Sequence, residues 1–120
     1  MIMGIGLDII ELDRIRRIIE RQPGFIKRIL TIGEIEKFMT LSKERKVEFL
    51  AGRFSVKEAF SKALGTGIGK EIGFLDIEVL NDERGKPFIQ LLKEIEEPLT
   101  IHVTITHTRQ YAAAQVIIEK

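Results

Sequence analysis

Two periodicities divide this chain. In the first half, apolar residues recur three and four positions apart; in the second, they alternate with polar ones. Ile2, Ile5, Leu7, Ile9 and Ile10 predict a strand over residues 2–10, in which Gly4 and Gly6 mark a bulge or a close backbone approach. Leu12, Ile15, Ile18 and Ile19 then predict an amphipathic helix over 12–21, broken by Pro23-Gly24. A short helix over 25–30 follows. Thr31 and Glu34, at capping-box spacing, start another helix that runs to Leu41. The polar stretch Ser42 to Lys46 reads as a connector into a long helix from Phe49 to Leu64.

After that helix the period changes to two. Leu75, Ile77 and Val79 alternate with Asp76 and Glu78, Asn81 to Gly85 is a turn, and Pro87 to Leu92 returns as the second strand of a hairpin. Ile101, Val103 and Ile105 form another strand. Thr108-Arg109-Gln110 turns the chain into a last strand, Tyr111 to Ile118, whose Ala112-Ala113-Ala114 run implies tight packing on something large. The expected fold is α+β: one domain of 120 residues, with N-terminal helices packed on a mostly antiparallel sheet.

Candidate chemistry concentrates in the long helix. At about 100° per residue, Phe49, Val56, Ala59, Phe60, Ala63 and Leu64 share one face, and Phe54, Glu58, Ser61 and Lys62 lie opposite. Gly65 is placed to end the helix in a left-handed cap, and Gly67 and Gly69 leave a loop free to approach a ligand. Glu58 and Lys62, four residues apart, are also the ordinary solubilising pair of an exposed helix, which contributes only about 0.3–0.5 kcal/mol. The company of Ser61, the glycine loop and a Phe54 expected to be exposed favours a site. Asp8 supplies a second carboxylate at the end of an apolar strand, where a charge needs a partner or a metal unless it caps the helix that follows. Two carboxylates from separate elements suit a magnesium ion shared with substrate phosphates. His107, at the end of a strand and beside hydroxyls, reads as a phosphate contact or a turn residue. The glycine loop is not a Walker A motif, because Glu71 stands where a Ser/Thr is required after Lys70 and the spacing differs, and it is not a dinucleotide fingerprint either.

Composition narrows the class. A 44% hydrophobic and 31% charged chain with no run of about 18 apolar residues is expected to have no membrane span. The N-terminus lacks a basic leader and no cysteine is present, which fits a cytoplasmic protein. Net charge is +1, but Arg14 to Arg28 holds six basic residues against Glu20, so this segment is +5 and the remainder −4. A local basic helix on a near-neutral protein suits a specific acidic partner, or else is a solvated face.

Together these blocks resemble the holo-[acyl-carrier-protein] synthases of the 4′-phosphopantetheinyl transferase superfamily, in their short bacterial form. The blocks are Gly4-Ile5-Gly6-Leu7-Asp8 with Arg14, Phe49 through Gly69 around Arg53-Phe54-Ser55-Val56-Lys57-Glu58-Ala59, the turn Asn81 to Pro87, and His102 through His107. The resemblance implies transfer of the phosphopantetheine arm of coenzyme A to a serine of apo acyl carrier protein, with release of adenosine 3′,5′-bisphosphate. It implies Mg2+ held by Asp8 and Glu58, catalysis by Glu58 and Lys62, and coenzyme A contacts from Arg53, Ser61, Lys62, Gly65, His107 and Thr108. Glu58, or a metal-bound water beside it, accepts the serine proton; the residues leave both open. Family members commonly carry serines where this chain has Thr104 and Thr108, a change that keeps the hydroxyls. Trimers with active sites between subunits are also implied, and an acidic carrier protein docks on Arg14, Arg21, Phe25 and Ile26, with Arg17 or Arg28 beside them.

Three other readings compete. A nucleic-acid-binding module rests on the basic helix alone and leaves Asp8, Glu58 and the glycine loop unexplained. A non-catalytic interaction protein has no need of Asp8, Glu58, Lys62 and His107 together. A metal-dependent phosphohydrolase uses the same groups with water as acceptor, and the arginine-rich surface argues for a protein acceptor instead.

Overall fold

Strand β1 (Ile2–Glu11) passes directly into helix α1 (Leu12–Arg21) in the computed structural model, which describes residues 1–120. Helices α2 (Gly24–Ile29), α3 (Ile32–Met39) and α4 (Lys43–Leu64) follow. A 3-10 turn over Phe74–Asp76 leads to β2 (Ile77–Asn81) and β3 (Pro87–Leu91), and the chain ends in β4 (Thr100–His107) and β5 (Tyr111–Glu119). Thr31 caps α3 in the expected reciprocal box: its hydroxyl accepts from the Glu34 amide, and the Glu34 carboxylate accepts from the Thr31 amide. The α+β architecture is as expected, but the strands form two sheets: β1-β5-β4 and the separate hairpin β2-β3, both antiparallel. Ile77 and Val79 of the hairpin pack with Val56 and Phe60 of α4 in one core cluster with the inward residues of β5.

Helix α4 is the axis of the molecule, about 33 Å long at 1.5 Å per residue. The sequence pattern predicts a polar side; the structure buries α4 nearly all round, from Val47 to Ala63, including Arg53, Ser55, Lys57 and Ser61. The three-stranded sheet, the helices α1–α3 and the hairpin enclose it from different sides, so a one-stripe pattern does not describe it. The stretch Ser42 to Lys46 is no connector, since Ser42 is the cap residue and Lys43 to Lys46 make the first turn of α4. Phe54 is not exposed for a ligand: its ring lies between Phe25 (6.1 Å between centroids) and Phe74 (5.6 Å). At the far end Gly65 adopts φ 85°, the left-handed cap expected of it.

The sheet lies on α4 through its smallest residues. Gly4 and Gly6 face the helix so closely that a Cβ would come within 1.9 Å of the Ala63 carbonyl oxygen and 1.7 Å of that of Ala59. Further along the same layer, Ala114 and Ala112 of β5 are buried opposite Asp8 and Ile10. On the opposite side of β1, Ile5, Leu7 and Ile9 stand 57–65% exposed, an apolar stripe on the outer face of the sheet.

Candidate active site

Asp8 does not end its strand, and it caps no helix. It sits within β1 opposite Ala114, and the cap position of α1 belongs to Glu11, whose side chain makes no capping bond. Strand alternation turns Asp8 toward α4 along with Gly4, Gly6 and Ile10. Its carboxylate is 15% exposed, with Oδ1 3.2 Å from the Lys62 ammonium; Oδ2 is buried and has no hydrogen-bond partner. Lys62 also donates to the Leu7 carbonyl at 3.0 Å. The alternative reading of Glu58 and Lys62 as a solubilising surface pair does not hold: Lys62, one turn beyond Glu58, is committed to β1.

Glu58 is partly buried and lies in the field of Asp8. Burial first, then the Asp8 charge, push its carboxyl above the usual range, while Lys62 pulls it back. A carboxyl of raised proton affinity beside a second carboxylate with an orphaned buried oxygen forms a donor set suited to a hard cation. No cluster of three His, Cys, Asp or Glu residues is present. Asp8 and Glu58 thus fit an ion that takes its remaining ligands from water and from a substrate's phosphate oxygens, as magnesium does in phosphoryl-transfer sites.

The other expected contacts are scattered. Ser61, expected on the polar face, is fully buried and donates to the Glu58 carbonyl at 2.7 Å, back within its own helix. Gly65 caps α4 three residues beyond Lys62. Arg53, His107 and Gly52 line a separate cavity of about 450 Å³, between α4, the β4 edge and the β2–β3 turn. Arg53 is nearly buried, its guanidinium 4.0 Å from the centroid of Phe49 and bonded to Asn81 Oδ1 at 2.7 Å; burial lowers it to about 10, against the pull of Glu34. His107 Nδ1 lies 3.0 Å from Glu48 Oε2, and the Thr108 hydroxyl accepts from the amides of Gln110 and Tyr111 in the β4–β5 turn. Lys37, Arg45 and Asn81, which sequence reasoning does not single out, line the same cavity. Their only signal is the turn Asn81 to Pro87, because Lys37 and Arg45 are indistinguishable from solvated helix charges. Arg14, Arg17, Arg21 and Phe25 meet in a further cleft of about 400 Å³ on α1 and α2.

The carboxylate pair and the basic cavity occupy opposite edges of one sheet. Asp8 is on β1, the cavity's Ile105 and His107 are on β4, and β5 lies between. Two strand spacings separate the edges by about 10 Å, and Glu48 to Glu58 adds about 15 Å along α4.

An α+β fold with a carboxylate pair beside a lysine, and a basic cavity apart from it, defines a candidate phosphoryl-group transferase. Comparison with known proteins makes this specific. A family model described as the 4′-phosphopantetheinyl transferase superfamily matches residues 4–116. A holo-[acyl-carrier-protein] synthase of Bacillus velezensis is 58% identical over 120 residues, covering 100% of this chain and 98% of its own. The crystal structure of a Bacillus anthracis holo-(acyl-carrier-protein) synthase in complex with CoA (3′,5′-ADP) superposes with a TM-score of 0.90 at 49% identity, covering 98% and 96% of the two chains. A Helicobacter pylori holo-[acyl-carrier-protein] synthase in complex with coenzyme A gives 0.83 at 35%, covering 96% and 99%. The chain belongs to the 4′-phosphopantetheinyl transferase superfamily. That family transfers the phosphopantetheine arm of coenzyme A to apo acyl carrier protein, the reaction the sequence resemblance implied. No helix is long and apolar enough to cross a membrane.

Proposed function

We propose that this chain, a phosphopantetheinyl transferase, converts apo to holo acyl carrier protein for fatty acid biosynthesis in the cytoplasm, with magnesium held by Asp8 and Glu58. The observation that carries the metal assignment is the orphaned, buried Asp8 Oδ2 beside a Glu58 whose proton affinity is raised. A magnesium ion held by Asp8 and Glu58 would supply positive charge to the substrate's phosphate groups. The acceptor serine oxygen forms a bond to the phosphorus of the pantetheine phosphate as the bond from that phosphorus to the oxygen of adenosine 3′,5′-bisphosphate breaks. Glu58, or a water held beside it, takes the serine proton. Lys62, fixed by Leu7 and Asp8, holds positive charge at the transferring group. Arg53, His107 and Thr108, with Arg45, bound the nucleotide end, and the loop after Gly65 covers the arm.

A homotrimer completes the site in this reading. The apolar stripe Ile5, Leu7 and Ile9 offers a face for a second copy, and a contact joining the β4 edge of one copy to the β1 edge of the next closes into a ring. That arrangement brings the cavity of one subunit to the carboxylates of its neighbour, the two features that one subunit keeps on opposite edges. Ile5→Glu is expected to yield a folded monomer by sedimentation, with transfer activity lost. A folded, active monomer counts against the shared site.

The basic cleft of α1 and α2 docks the acidic carrier protein through Arg14, Arg21, Phe25 and Ile26. Arg14→Glu is expected to weaken carrier binding about tenfold, more at low salt, and to leave coenzyme A binding unchanged. Equal loss of both removes that division of labour. The reaction itself is tested by intact mass spectrometry of apo acyl carrier protein incubated with this protein, coenzyme A and magnesium. A gain of one phosphopantetheine arm, absent when metal is withheld, is the expected result; no gain with several carriers refutes the reading.

A further inference from the structure

Lys57 is a fully buried charge with no part in the transfer chemistry. It precedes Glu58 on α4, about 100° around the helix from it, and its ammonium is 0% exposed. It donates to the carbonyl of Ile29, the last residue of α2, at 2.5 Å, and to Glu34 Oε1 at 2.6 Å. The Glu34 carboxylate, equally buried, also accepts from the amide of Thr31 at 2.9 Å and, through Oε2, from the amide of Val79 at 2.7 Å. The Thr31 hydroxyl donates in turn to Glu78 Oε2. One ion pair thus joins the end of α2, the cap of α3, the middle of α4 and strand β2.

An ion pair of this kind is a poor source of stability. A well-packed apolar pair of similar volume is often as stable, while loss of one partner strands a buried charge. What the pair does supply is a fixed geometry, because each bond is directional and tied to a particular backbone group. The segment it fixes is α2, which carries Phe25 and Ile26 and continues from the arginines of α1. The helix it is fixed to presents Glu58 in the same turn, on the side facing Asp8.

We propose that Lys57, with Glu34, is a positioning residue that sets the carrier-docking segment at the distance from Glu58 that the acceptor serine requires. The inference rests on the docking reading given above. It assigns no contact with either substrate to Lys57: the residue acts through the place of α2. With that segment displaced, the carrier brings its serine into line only by giving up docking contacts, so the productive complex needs more carrier while coenzyme A binds as before.

The test is steady-state transfer to apo acyl carrier protein by the full-length Lys57→Met, Lys57→Arg and Thr31→Val variants, with coenzyme A and carrier varied separately. Assays are run where circular dichroism shows each variant folded. Lys57→Met is expected to raise the carrier KM at least tenfold while the coenzyme A KM stays within twofold. Lys57→Arg, which keeps a donor and the charge, is expected to recover most of the loss. Thr31→Val removes one hydroxyl and no charge, and is expected to raise the carrier KM about threefold; it decides the matter where Lys57→Met does not fold. Unchanged carrier KM values, or equal rises in both constants, overturn the assignment, the latter because they report general loosening. A wild-type protein that transfers nothing to any carrier refutes the functional reading instead, so the two failures are distinct.

Discussion

Glu58→Gln is expected to reduce phosphopantetheine transfer by about 10³-fold, within the range that a positioned acid-base group contributes, and to leave the fold intact. The substitution keeps the shape of the side chain and removes both its charge and its capacity to take a proton. Stability gives the second half of the expectation. Burial and Asp8 raise the Glu58 carboxyl in the folded state, so the folded protein binds more protons than the unfolded chain between the two pKa values. Stability therefore falls as pH rises through that window, and above it the ionised Glu58 carries a standing cost. A neutral amide in its place removes that cost. The variant's melting temperature at pH 7 without metal is expected to equal or exceed that of the wild type, a gain in stability at the expense of function. Magnesium is expected to raise the wild-type melting temperature and to leave that of Glu58→Gln unmoved. A variant that keeps metal-dependent activity removes Glu58 from the site; one that melts well below the wild type shows that the carboxylate is structural.

The parts of this protein that sequence reading reaches are those governed by local rules. Helix α1 over 12–21, the Thr31–Glu34 capping box, the β2–β3 hairpin and the Gly65 cap all follow from spacing, turn chemistry and backbone freedom within a few residues. The residues that mislead are those of α4. A helix enclosed on several sides has no single apolar stripe, so Phe54 and Ser61 read as part of a polar face although both are packed inside or partly inside. Lys57 and Glu34 lie 23 positions apart, and no periodicity links such residues. The pairing of Asp8 with Lys62 crosses from β1 to α4 and is set by how closely the strand lies on the helix. The family resemblance thus names the candidate groups, while the arrangement of those groups is set by tertiary contact.

That close approach rests on two glycines, and Gly6→Ala is expected to be the most damaging small substitution in the chain. Its Cβ would come within 1.7 Å of the Ala59 carbonyl oxygen and 2.9 Å of the Ala63 amide nitrogen. Both atoms are main chain within α4, so no side-chain rotation relieves the overlap. Either β1 lifts from the helix, opening the layer that holds Ala112 and Ala114, or the helix bends and strains its own ladder. The expected loss is about 3 kcal/mol or more, at the upper end of overpacking effects, read from the urea midpoint at unchanged slope. Distance matters for chemistry as well, because Asp8 follows Gly6 on the same inward face of β1. A lifted strand carries the Asp8 carboxylate away from Glu58 and Lys62. Molecules of Gly6→Ala that remain folded at low temperature are therefore expected to show a weakened rise in melting temperature on adding magnesium. Gly24→Ala is the control: a Cβ there meets nothing within 4 Å, and it is expected to be neutral in both measurements. If Gly6→Ala matches that control, β1 packs on α4 more loosely than these distances require, and the placement of Asp8 beside Glu58 has another cause.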